Sequence, residues 1–126
     1  MKNSISERIA DFLKKFPPFS YLSLEELLDL STEITILYKT KGSIVFKNGE
    51  QPHDFFYVVH KGAIALWKED ENVVIDICDE GDIFGLRPII ANDTYRLDAK
   101  AQEESMLYAI PISLFKPYAK ENGSIG

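Results

Sequence analysis

The sequence predicts a mainly β fold with short flanking helices, and three observations carry that reading. Short apolar segments recur at strand-like spacing between residues 33 and 110. Clusters of Gly, Asn, Asp and Pro punctuate them. No long amphipathic helix separates them, as the crossovers of a parallel sheet would require. Together these features favour a small all-β barrel, roll or sandwich over a βαβ fold. With 126 residues, 45% of them hydrophobic, the chain suits a single ordered domain, residues 1–126, around one core.

The first element is helical. Ile5, Ile9, Phe12, Leu13 and Phe16 fall near one helical stripe over residues 5–16, Ser4 and Glu7 have capping-box spacing, and Pro17-Pro18 stops the helix. Ser23 opens a second helix, with Glu26 three residues on and Leu24, Leu27, Leu28 and Leu30 as its inward face. From residue 33 the period changes to two: Ile34, Ile36 and Tyr38 alternate with Thr35, Leu37 and Lys39. Further strands are expected over residues 44–46, 55–59, 63–67, 73–77, 97–101 and 105–110. Thr40-Lys41-Gly42, Lys47-Asn48-Gly49-Glu50, His60-Lys61-Gly62, Glu69-Asp70-Glu71-Asn72 and Asp79-Glu80-Gly81 supply turns between them. Pro111 ends the last strand, and Ile112, Leu114, Phe115 and Tyr118 line a final short helix limited by Pro117. Residues 121–126 have little to bury and read as a linker, so the chain is expected to be a piece of a larger protein.

Charge and composition narrow the function. Twenty acidic against 14 basic residues give a net charge of -6, which argues against direct nucleic-acid or membrane partners while leaving a local basic cavity free to attract a small anion. Neither a signal peptide nor a run long enough to cross a membrane is present, so a cytoplasmic location is expected. Cys78, the single cysteine, cannot form an internal disulfide and reads as a small core residue among Val73, Val74, Ile75 and Ile77. His53 and His60 lie beside turns without a compact set of acidic or thiol partners, which favours surface or hydrogen-bonding roles over metal ligation. Phe55, Phe56, Tyr57 and Trp67 read as β-core residues, with Phe55 and Tyr57 on one side of a strand and Phe56 on the other. No nucleophile elbow, His-Glu-x-x-His or Walker-type motif occurs, so no catalytic residues and no cofactor are assigned and a non-enzymatic domain is expected.

The segment from Gly81 through Asp82, Ile83, Phe84, Gly85, Leu86, Arg87 and Pro88 to Arg96 carries the functional signal. Its glycines allow a close turn, its backbone amides can face an anion, and Arg96 can supply a charge-assisted fork. If the following strand is regular, Arg96 and Asp98 share a face, so the Asp98 carboxylate is expected to pair with Arg96 and compete with a bound phosphate.

Over residues 12–120 the chain resembles the cyclic nucleotide-binding domain family. The likeness rests on Phe12-Leu13-Lys14-Lys15-Phe16-Pro17-Pro18-Phe19, on Gly42, Asn48-Gly49-Glu50, Asp54-Phe55-Phe56-Tyr57-Val58-Val59 and Lys61-Gly62, and on Gly81-Asp82-Ile83-Phe84-Gly85 at the opening of the phosphate-binding cassette. The resemblance implies a jelly-roll-like β-roll, a double-stranded β-helix of eight antiparallel strands, with a ligand pocket inside and helices that respond to ligand. It also implies that Arg96 is the family's phosphate-holding arginine. Leu86 stands where the family usually has a ribose-binding glutamate, and Leu97 and Asp98 follow the arginine where a small or hydroxyl-bearing residue is common.

Phe84, Gly85, Leu86, Arg87, Pro88, Arg96, Leu97 and Asp98 are therefore the candidate ligand-binding residues. The expected function is a regulatory sensor of a cyclic nucleotide or another phosphate-bearing small molecule, compatible with an attached effector module and with a homodimer. The alternative is a β-roll that acts as an interaction domain without binding cyclic nucleotides.

Overall fold

The computed structural model describes residues 4–113. Their contacts divide them into a helical unit, residues 4–34 with 110–113, and a β unit, Thr35–Ala109. In the helical unit, α1 (Ser4–Leu13) buries Ile9, Ala10, Phe12 and Leu13. It ends three residues before Phe16, whose ring lies 5.1 Å from that of Phe12. The turn Phe19–Tyr21 buries Phe19. α2 (Leu24–Ser31) carries the expected capping box: Glu26 N–H donates to Ser23 Oγ at 3.1 Å and Ser23 N–H to Glu26 Oε1 at 2.8 Å. Its buried stripe starts one turn later than the sequence pattern suggests, at Leu27 and Leu30, leaving Leu24 exposed in the first turn. Ile112 and Ser113 are helical; Leu114, Phe115 and Tyr118 of the expected final helix lie outside the described residues.

The β unit contains β1 (Thr35–Lys39), β2 (Ile44–Phe46), β3 (Phe55–Lys61), β4 (Ile64–Lys68), β5 (Val73–Cys78), β6 (Ile83–Phe84), β7 (Asp98–Ala101) and β8 (Ser105–Pro111), the last running on into the helical unit. A short helix, α3 (Arg87–Ala91), stands between β6 and β7. Two four-stranded sheets form, ordered β1-β8-β3-β6 and β2-β7-β4-β5, with antiparallel pairings. Phe46, Ile64, Cys78, Ala99 and Ala101 of one sheet meet Tyr57, Val59, Phe84, Leu107 and Ala109 of the other in one core. This is the jelly-roll-like β-roll that the resemblance implied.

Alternation holds on β3, where Phe55, Tyr57 and Val59 face this core, and Phe56 and Val58 are buried as well. On β1 it is Leu37 that packs against the core, while Tyr38 is 73% exposed. Trp67 also departs from the core reading: β4 shifts register against β5 between Leu66 and Trp67, and the half-buried indole lies beneath Lys100 Nζ, 4.9 Å from its ring centroid. Gly62 closes the β3–β4 turn at φ +94°, where a Cβ would collide with Ser105 Oγ and the Glu104 carbonyl.

Candidate functional site

The site is built on the chain from β5 to β7. The β5–β6 turn is tied to β3 by Gly81 N–H to the Val59 carbonyl at 2.8 Å and Val59 N–H to the Asp82 carbonyl at 3.0 Å. β6 then lays Phe84 against Tyr57, their rings stacked with centroids 5.1 Å apart. Gly85 turns the chain away at φ +78°; a Cβ there would lie 3.1 Å from the Tyr57 ring and 3.3 Å from that of Phe46. The glycine is thus needed both for its backbone conformation and for close approach to the aromatic core. Leu86 immediately precedes α3 without a side-chain cap, Pro88 is buried, and Asn92 in the left-handed conformation ends the helix.

The returning segment is pinned on both sides of Arg96. Tyr95 N–H donates to the Glu50 carbonyl at 3.0 Å and its own carbonyl accepts Gly49 N–H at 2.8 Å. The Tyr95 ring stacks on Phe46, centroids 3.8 Å apart, and its hydroxyl accepts His53 N–H at 2.9 Å. Two residues beyond Arg96, the buried Asp98 carboxylate accepts Asn48 N–H at 2.7 Å. The Lys47-Asn48-Gly49-Glu50 turn therefore fixes the backbone around Arg96 while leaving its side chain in solvent.

A cavity of about 580 Å³ opens beside the cassette. Phe84, Gly85, Leu86, Arg87, Pro88, Arg96 and Leu97, seven of the candidate residues, line it together with Phe46, Leu66, Cys78 and Tyr95. Asp98 does not; it lines a separate depression with Lys47, Asn48, Gly49, Glu50 and Asp70.

The expected Arg96–Asp98 pair is replaced by another. Arg96 Nε and Nη2 both donate to Asp93 Oδ2, at 3.0 and 2.6 Å. β7 begins only at Asp98, so Arg96 lies in irregular chain where the two-residue period does not apply, and Asp98 turns inward to the Asn48 amide. The Arg96 hydrogen bonds, followed by the Thr94 N–H and the nearby Arg87 charge, hold the Asp93 carboxyl below its ordinary range. Asp93 is the residue that the sequence reading missed. The available signal was its place three residues before Arg96, joined to it by a short polar turn.

Cys78 is a core residue, as expected, and burial followed by the carboxylates of Asp76, Asp82 and Asp79 pushes its thiol up to about 12. His53 is a hydrogen-bonding histidine: besides its N–H to Tyr95, its Nδ1 lies 2.6 Å from the Tyr57 hydroxyl. His60 stacks on Tyr108, centroids 4.8 Å apart. Among the described residues, no cluster of three His, Cys, Asp or Glu is placed to hold a metal ion, and no helix is long and apolar enough to cross a membrane.

A β-roll with a cavity beside a glycine turn and an arginine on the returning segment is the arrangement that the resemblance implied. The chain belongs to the cyclic nucleotide-binding domain family, whose model matches residues 37–122. Among solved structures, it is similar to the regulatory domain of Toxoplasma gondii PKA with cAMP, at 18% identity and a TM-score of 0.81, over 90% of this chain and 45% of that one. It is also similar to the regulatory subunit of a cAMP-independent protein kinase A from Trypanosoma brucei, at 17% identity and 0.77, over 93% and 46%. The sensor domain of the transcriptional regulator DNR from Pseudomonas aeruginosa matches at 20% identity and 0.77, over 89% and 80%. At these identities the likeness carries the fold. The chain spans less than half the length of the two kinase regulatory structures. A comparison with curated proteins finds no match.

Proposed function

We propose that this domain is a non-enzymatic regulatory sensor whose cavity receives a small ligand carrying phosphate or a comparable anion, cyclic nucleotides among the candidates. One observation carries the reading: the cassette cavity is lined by two exposed arginines, Arg87 and Arg96. Asp93 takes two N–H bonds of Arg96 on a single oxygen. A guanidinium has five such donors, so about three remain to receive an anion. Occupation of the cavity would bias the packing of the cassette and pass that state to an attached effector module, in the cytoplasm on this reading. The ligand-binding residues are then Phe84, Gly85, Leu86, Arg87, Pro88, Arg96 and Leu97, with Asp98 supporting the neighbouring turn. The regulatory domain and regulatory subunit among the similar structures support the functional class.

Calorimetry and thermal shift with cyclic AMP, cyclic GMP, cyclic dinucleotides and simple phosphate esters test it. Saturable heat that disappears in Arg96→Ala is expected. Absence of heat and of thermal shift with every anion at millimolar concentration would instead favour an interaction domain without a ligand. That second reading has its own support in Asp93, which already occupies part of Arg96, and in Leu86 and Leu97, which offer a sugar no polar side chain.

A further inference from the structure

The chemistry of the cavity wall says more about the ligand than the arginines alone. Leu66, Phe84, Leu86 and Leu97 line it, and the hydroxyl of Tyr95 already accepts the His53 N–H. The charged side chains that reach it, Arg87, Arg96 and Asp76, are exposed, and the Asp76 carboxylate accepts Ile77 N–H at 2.8 Å. Charge is therefore confined to the solvent side, and the inner wall offers apolar contact. A sugar placed there would exchange its hydroxyls' bonds to water for contact with leucines, a loss that an apolar group does not suffer. An apolar group gains from the same contact.

We infer that the ligand of this site is an amphipathic organic anion, with an aromatic or aliphatic body against Leu66, Phe84, Leu86 and Leu97 and a single phosphate or carboxylate at Arg87 and Arg96. This rests on the sensor reading above and narrows its ligand class. The cavity, about 580 Å³, falls within the range that encloses a small organic ligand. Selectivity arises because Arg87 and Arg96 alone would also recruit hydrophilic phosphates, whereas the leucine wall rewards ligands with an apolar body.

Calorimetry on the whole 126-residue chain separates the components, with 2-naphthyl phosphate, 2-naphthoate, neutral 2-naphthol, ribose 5-phosphate and cyclic AMP as probes. At least one naphthyl anion is expected to bind about tenfold or more tighter than cyclic AMP, ribose 5-phosphate and 2-naphthol. Leu86→Glu, which puts a carboxylate on the wall, and Arg96→Ala, which removes the cation, are each expected to weaken that anion about tenfold. Equal or tighter binding of cyclic AMP or ribose 5-phosphate would overturn the amphipathic ligand while leaving the sensor intact. Equal binding of 2-naphthol would overturn the charged head and with it the inference. Unchanged affinity in folded Leu86→Glu and Arg96→Ala would place the probe elsewhere and overturn it too, and failure of every probe to bind would sink both the inference and the sensor reading.

Discussion

Arg96 and Asp98 are two residues apart and have opposite fates. The Arg96 side chain is 67% exposed and held by one carboxylate in a turn, whereas Asp98 is 3% exposed and spends its carboxylate on a backbone amide of the 47–50 turn. The difference separates two roles that an extended-strand reading merges. Asp98 anchors the turn that holds the backbone; Arg96 is the adaptable group that this backbone presents. An exposed ion pair such as Arg96–Asp93 is screened by solvent and contributes little to stability, so the arginine can exchange Asp93 for another anion easily. Breaking the Asp98 contact instead removes a charge-assisted hydrogen bond whose acceptor is buried.

The largest expected effect lies at the buried end. Asp98→Ala should destabilise the domain by about 1.5–3 kcal/mol in urea unfolding, because a hydrogen bond to a buried charged acceptor is lost. A stability change under about 0.5 kcal/mol would show that Asp98 does not anchor the turn. Gly85→Ala should cost about 1–3 kcal/mol, from the positive φ and the short approach of its Cβ to Tyr57 and Phe46; thermal unfolding reads this directly.

At the exposed end the balance between stability and binding reverses. Arg96→Ala should leave stability within about 1 kcal/mol of the parent while lowering affinity for a phosphate-bearing probe tenfold or more, measured by calorimetry. If the variant unfolds instead, Arg96 is structural and the contrast with Asp98 collapses. Asp93→Asn should raise affinity for the same probe by about two- to fivefold, because it removes a solvent-screened anion that already holds two Arg96 N–H groups. An unchanged or reduced affinity would mean that Asp93 does not compete.

The smallest effect is a dependence on pH. The folded Asp93 carboxyl is held below its ordinary value of 3.8 by Arg96, so the stabilisation that this pair gives is fully present above 3.8 and fades as pH falls through the lower folded value. Carboxyl chemical shifts followed by NMR should therefore show Asp93 more than half ionised at pH 3.8, and a midpoint at or above that value would contradict the pairing.

The β-roll was legible because burial on sheets imposes a two-residue period and turns demand particular residues. The run Phe55-Phe56-Tyr57-Val58-Val59 has no polar alternation, which is the signature of a strand buried on both faces, and all but the half-buried Phe55 are buried. Ser23 and Glu26 gave the start of α2 because a capping box is a local contact between near neighbours. The glycine of the cassette was readable for the same reason: its positive φ is a demand on the backbone of one residue.

What the sequence could not determine lay where local rules lapse. Between Asn92 and Leu97 the chain is irregular, so the two-residue period that pairs Arg96 with Asp98 does not hold there; the left-handed Asn92 and the anchoring of Tyr95 to Gly49 and Glu50 brought Asp93 to it instead. Aromatic character places Trp67 in the β core and alternation sets Tyr38 on one face with Ile34 and Ile36, but a register shift and the packing of Leu37 decided their exposure. By itself the sequence determined seven of the eight strands, the cap of α2 and the turns, because each depends on residues within a few positions of one another. Only the tertiary structure decided which acid meets Arg96, which one is buried, and that the cavity wall is apolar, because those outcomes depend on segments brought together from β2 to β7.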